Sequence, residues 1–151
     1  MMNDSSLKLE NQLCFALYSA SKAIIHAYKP LLEPLNLTYT QYITLLALWE
    51  HHPLSMKALG DLLNLDSGTL TPLLKRLEEK ELLHRSRSSD DERQVDVDLT
   101  EKGLALKSQA VQIPQQLQHS LSLSLDDATA LYQLLKQVID PAEAEPSKKK
   151  E

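Results

Sequence analysis

The chain has a single cysteine, Cys14, in 151 residues. One thiol cannot close an internal disulfide or build a cysteine-based zinc site. Glycine is nearly as scarce, and its three residues form no phosphate-cradling loop. No apolar stretch approaches the roughly 20 residues of a membrane span. The start MMNDSSLKLENQ lacks the basic flank and apolar run of a signal peptide. A cytoplasmic chain with no membrane partner is expected. His26, His51, His52, His84 and His119 show no metal-ligand spacing, and no Ser-His-Asp set stands out. Neither a metal, a cofactor nor an enzyme is therefore expected. Positive charge is short too: the net charge of −5 argues against generic nucleic-acid binding. Any DNA contact would have to come from a local basic patch.

What the chain does have is leucine at helical spacing. Leu13, Leu17, Ala20 and Ile24 form one line, with Cys14, Tyr18, Ile25 and Tyr28 beside it, which predicts a long helix from about Ser6 to Tyr28. The prolines of KPLLEPLNLT, residues 29–38, should break it. A second, buried helix is expected over Thr40–Glu50, ended by His51-His52-Pro53. Residues 55–80 then carry two short amphipathic patterns around Asn64-Leu65-Asp66. Ser55 is placed to cap the first, whose inward residues are Leu59, Leu62 and Leu63. Asp66 or Ser67 caps the second, with Leu70, Leu73, Leu74 and Leu77 inward. That is a helix-turn-helix pattern.

Leu82–Arg87 reads as extended, Ser88–Glu92 as a polar turn, and Gln94–Leu99 alternates strictly, as a half-exposed strand does. The result is a hairpin after the helix-turn-helix, a wing. Thr100 opens another long helix, bent at Pro114. Ser124–Asp127 resembles a capping box leading into a last helix, with Leu131, Leu134, Leu135, Val138 and Ile139 inward. The end PAEAEPSKKKE reads as disordered, with Lys148–Lys150 a solubilising terminus.

The predicted fold is mainly α with a small β wing. N-terminal dimerisation and sensor helices occupy 1–50, a winged helix-turn-helix 51–103, C-terminal dimerisation helices 104–140 and the tail 141–151. With the four leucines inward, Gly68, Pro72, Lys75, Arg76 and Glu79 point outward, and Ser67, Thr69 and Thr71 lie at the helix start and its flanks. Recognition helices present such residues to base edges. Hydroxyls can bond bases or phosphates, Pro72 can pack on a thymine methyl, and Lys75 and Arg76 can reach phosphates or guanines. The wing adds Arg85, Arg87 and Arg93. Asp91, two residues before Arg93, is placed to fix its guanidinium for minor-groove insertion. One such unit makes few phosphate contacts, so two units on a pseudo-palindromic operator, a homodimer joined by the terminal helices, are expected.

By residues alone, Cys14 reads first as a small hydrophobe, and a thiol with Tyr18 one turn away is the lesser reading. The order of elements settles which family to compare. DSGTLTPLLKRLEEKELLHRSRSSDDERQVDVDLTEKG, residues 66–103, resembles the recognition helix and wing of the MarR family of dimeric bacterial transcription regulators. LCFALYSASKAIIHAYKPLLEPLNLTYTQYITLLALWE, residues 13–50, resembles its organic hydroperoxide resistance subgroup. The resemblance implies that Cys14 is a peroxide sensor, that Tyr28 and Tyr39 bond it across the dimer interface with Tyr18 close by, and that oxidation releases DNA. It implies a repressor of a peroxide-detoxifying gene with an organic hydroperoxide as effector. One branch of the subgroup resolves its sulfenic acid with a second cysteine, which this chain lacks. Oxidised Cys14 must then wait, capture a low-molecular-weight thiol, cyclise with a backbone nitrogen or over-oxidise. The alternative is a MarR-type repressor released by a bound phenolic or aromatic ligand, with Cys14 inert.

Overall fold

Leucine burial organises the chain. The computed structural model describes residues 4–141. Apart from its first residue, the tail read as disordered, including Lys148–Lys150, lies outside the described residues. The chain falls into two compact units, Met1–Leu117 and Gln118–Glu151. In the first, α1 (Leu13–Leu32) and α2 (Tyr39–His51) lead into β1 (Leu54–Ser55) and α3 (Met56–Leu63). Then come α4 (Ser67–Glu79), β2 (Leu83–Arg87), β3 (Val95–Leu99) and α5 (Glu101–Ala110). Helix α6 spans Ile113–Ser120, and α7, Leu125–Ile139, lies in the second unit.

The core joins Leu45, Leu48 and Trp49 of α2 to Leu59 of α3, Leu70, Leu74 and Leu77 of α4, and Val97 of β3. It therefore runs across residue 50. Each fully buried leucine contributes about 1.5–3 kcal/mol. The sheet order is β1-β3-β2, all antiparallel, with Arg85 opposite Val97 and Leu54 opposite the same valine on the other side. The hairpin was expected; β1 was not, because two residues are too few to show alternation.

The helix-turn-helix follows its caps. Ser55 Oγ accepts the Ala58 N–H (3.1 Å), and Asp66 Oδ1 accepts that of Thr69 (2.7 Å). Asn64 closes α3 in the left-handed region (φ 52°), which asparagine tolerates. Leu59 is buried as expected, but Leu62 is exposed. Thr38 and Gln41 form a reciprocal capping box at the start of α2. Gly103 of α5 sits against α2, Leu82 just before β2, and Leu99 of β3. Its carbonyl accepts the Trp49 indole N–H at 2.9 Å, and a Cβ there would lie 2.0 Å from the Leu82 carbonyl oxygen, so only glycine fits.

Three helix extents differ from expectation. First, the opening helix starts at Leu13, not Ser6. Asn11 Nδ2 donates to the Ser5 carbonyl, and Gln12 Nε2 to those of Ser6 and Lys8. These bonds favour two 3-10 turns over an α-helix. Second, α1 runs through Pro30 to Leu32 rather than breaking before it. Third, the helix after Thr100 is two helices. The break falls before Pro114, which takes the second position of α6, where no amide hydrogen is needed.

Leu131, Leu134, Val138 and Ile139 of α7 are exposed rather than inward, and no residue of that helix is buried. In α1 only Leu32 is buried, while Leu13, Phe15, Tyr18 and Ile25 are exposed. Apolar surface on this scale marks an interaction face. Among the described residues, no helix is long and apolar enough to cross a membrane.

Candidate nucleic-acid interface and thiol site

Helix α4 buries Leu70, Leu73, Leu74 and Leu77, and this fixes its phase. Ser67, Gly68, Thr69, Thr71, Pro72, Lys75 and Arg76 are all exposed on the remaining surface. Pro72 has no amide hydrogen, so the Gly68 carbonyl gets no helical donor and is left as an acceptor near the helix start. The Thr69 amide beside the Asp66 carboxyl holds that group below the usual carboxylate range, so the cap is ionised at neutral pH.

The wing arginines divide. Arg87 and Arg93 are exposed. Arg85 is engaged inside the protein: its Nη2 lies 2.8 Å and its Nε 3.2 Å from Glu78 Oε2, while its backbone N–H donates to Glu78 Oε1 at 3.1 Å. Its guanidinium braces β2 against the last turn of α4. Those donors hold the Glu78 carboxyl below the usual range. Asp91 also differs from expectation. Its Oδ1 accepts the backbone N–H of Arg93 at 3.0 Å, so it shapes the turn, not the guanidinium. Neither the Glu78–Arg85 brace nor the Asp91 turn is readable from spacing, since each depends on how the hairpin folds back.

Cys14 is exposed and is the second residue of α1. A helix beginning at Ser6 would have buried it two turns from the N-terminus. The later start puts it in the first turn, at the positive end of the helix dipole, where anions are favoured. Phe15 and Tyr18 face each other on the same stretch, ring centroids 6.3 Å apart, and Lys22 Nζ lies 5.1 Å over the Tyr18 ring.

Tyr28 and Tyr39 come together elsewhere, at 4.9 Å, with Tyr42 at 5.6 Å from Tyr28. Burial, then the neighbouring Tyr39 and Tyr42, push the Tyr28 phenol up to about 12; burial also raises Tyr39 and Tyr42. These hydroxyls therefore remain donors at neutral pH. Tyr42, which sequence reasoning missed, is 1% exposed and floors the cluster. Its signal was its place one turn after Tyr39 on a buried helix. Cys14 and Tyr28 stand fourteen residues apart on one helix, about 21 Å. Within one chain the thiol cannot reach these phenols.

A three-stranded sheet ending in a wing hairpin, a capped helix of the helix-turn-helix and exposed arginines define a winged helix-turn-helix transcription regulator. The family model described as transcriptional regulator SarA/Rot matches residues 26–110. The organic hydroperoxide resistance transcriptional regulator of Bacillus subtilis (strain 168) is 53% identical over 128 residues, 85% of each chain. Reduced AbfR bound to DNA superposes with TM-score 0.76 at 33% identity, covering 93% of this chain and 99% of that one. Overoxidised AbfR bound to DNA gives 0.74 at the same identity and coverage; AbfR is a Staphylococcus epidermidis protein. The chain belongs to the MarR family of transcriptional regulators and, within it, to the organic hydroperoxide resistance group.

Proposed function

We infer that this redox-responsive transcriptional repressor senses organic hydroperoxides at Cys14 and then lets go of its operator. It acts in the cytoplasm as a homodimer on pseudo-palindromic DNA and catalyses no turnover. Residues 1–50 and 104–140 provide the sensor and the dimer contacts, and 51–103 the reading head. Ser67, Gly68, Thr69, Thr71, Pro72, Lys75 and Arg76 face the major groove, and Arg87 and Arg93 the backbone and minor groove. Arg85 and Asp91 serve this surface by positioning it.

The observation carrying the reading is the separation of the sensor's parts. The thiol lies exposed at one end of α1, and three donor phenols cluster about 21 Å away. In a dimer through the exposed face of α1, the phenols of one subunit meet the thiol of the other. The thiolate attacks a peroxide oxygen, the O–O bond breaks, and sulfenic acid and an alcohol form. A small thiol then condenses with the sulfenic acid, forming S–S and releasing water. The added bulk parts the helices.

Cys14→Ser tests this. It should bind operator as tightly as wild type, and cumene hydroperoxide should not release it. Wild-type release from Cys14→Ser would favour the ligand-binding alternative. That alternative has one observation behind it: an apolar groove of about 570 Å³ lined by Ile25, Leu32, Leu37 and Tyr39, with Lys22 and His26 at its edge.

A further inference from the structure

Lys80, at the C-terminal end of the reading helix, belongs to neither the DNA surface nor the thiol site. Its Nζ donates to the Asn36 carbonyl (2.5 Å) and to Gln41 Oε1 (2.8 Å). Asn36 closes the 3-10 turn after α1 in the left-handed region, φ 54°. Gln41 is 4% exposed, and the same side-chain oxygen accepts the Thr38 N–H at 3.1 Å. The lysine's backbone is held as well: its N–H donates to the Arg76 carbonyl, and its own carbonyl accepts Lys102 Nζ of α5 at 3.0 Å. A single side chain thus ties the end of α4 to the joint between α1 and α2, and Tyr28 and Tyr39 flank that joint. Partial burial pulls the ammonium below the usual lysine range, as expected of a group withdrawn from water into this contact.

We propose that Lys80 is the positioning residue that carries movement of the α1–α2 joint into the reading helix. The proposal rests on the redox-switch reading given above. A helix is stiff, so a shift at Lys80 is delivered at Ser67, about 20 Å away, where bases are read. A staple that only stabilised the fold would lower the melting temperature and leave the reduced-to-oxidised affinity ratio unchanged. A coupling residue sets that ratio.

The test compares operator affinity before and after treatment with cumene hydroperoxide and a small thiol, with Cys14 oxidation followed by mass spectrometry in the same samples. Wild type should lose at least about tenfold in affinity, a usual size for a coupling between sites. Lys80→Met keeps the stem but no donor. Its ratio should shrink to within about threefold, with a cooperative melt and Cys14 oxidised as in wild type. Should it not fold, Lys80→Gln, too short for both acceptors, takes its place with the same expectation. Gln41→Glu keeps the acceptor for Thr38 and meets Lys80 with charge, so it should switch like wild type. A wild-type ratio in the Lys80 variant, or a collapsed ratio in Gln41→Glu, would overturn the latch alone. A wild type that oxidises at Cys14 yet keeps its affinity would overturn the redox reading and the latch with it.

Discussion

At the scale of residues, the sensor proposed above calls for hydroxyls that stay protonated. Burial raises the Tyr28 phenol from 10.0 to about 12. Because the folded value lies above the unfolded one, its contribution to stability is complete below pH 10 and is lost as pH rises toward 12. A thermal melt at rising pH should show that alkaline decline in wild type, and Tyr28→Phe should flatten it. On the proposed reading the same substitution removes one donor to the partner subunit's sulfur. It should slow Cys14 oxidation by about tenfold, the scale of a lost charged hydrogen bond, without weakening reduced operator binding. An unchanged oxidation rate would detach Tyr28 from the sensor. Residues alone favoured Cys14 as a small hydrophobe, and its sensor reading came from the family resemblance. Its first-turn position was not legible, because Asn11 and Gln12 divert the backbone through side-chain bonds that periodicity does not register.

At the scale of elements, the reading head was legible because leucine burial fixes phase. Once Leu70, Leu73, Leu74 and Leu77 face the core, the outward residues of α4 follow by geometry. The wing was less so. Alternation revealed β3, but the Glu78–Arg85 brace joins residues on opposite sides of a turn and shows no period. Glu78 is held below 4.5, so the brace's contribution is present above that value and fades as pH falls through the lower folded one. Both side chains are partly exposed, so solvent screening keeps the pair at about 1 kcal/mol or less. Glu78→Gln should cost little in melting temperature at pH 7, and the gap to wild type should close in acid. Its larger effect should be on operator affinity, because β2 carries Arg87 and the brace seats it against α4. A salt titration of binding in both proteins checks this. Equal affinities at every salt concentration would mean that the wing needs no brace.

At the scale of the whole molecule, two helices remain without a core. Nothing in α7 is buried, and α1 buries only Leu32. Both were expected to supply apolar surface for a dimer, and of the five residues of the last helix expected inward, Leu131, Leu134, Val138 and Ile139 are exposed. On the proposed reading, each subunit holds half of a sensor that a dimer completes. The proposed mechanism assigns release to the bulk added at the dimer seam more than to the oxygen. The neighbouring overoxidised AbfR was solved bound to DNA.

The most direct measurement is operator affinity of one preparation in three forms of Cys14: reduced, oxidised without added thiol, and oxidised in the presence of a small thiol, each verified by intact mass. The affinity should fall modestly for sulfenic acid and at least about tenfold further for the mixed disulfide. Equal affinity in all three forms, or full release with the thiol still reduced, would contradict the account.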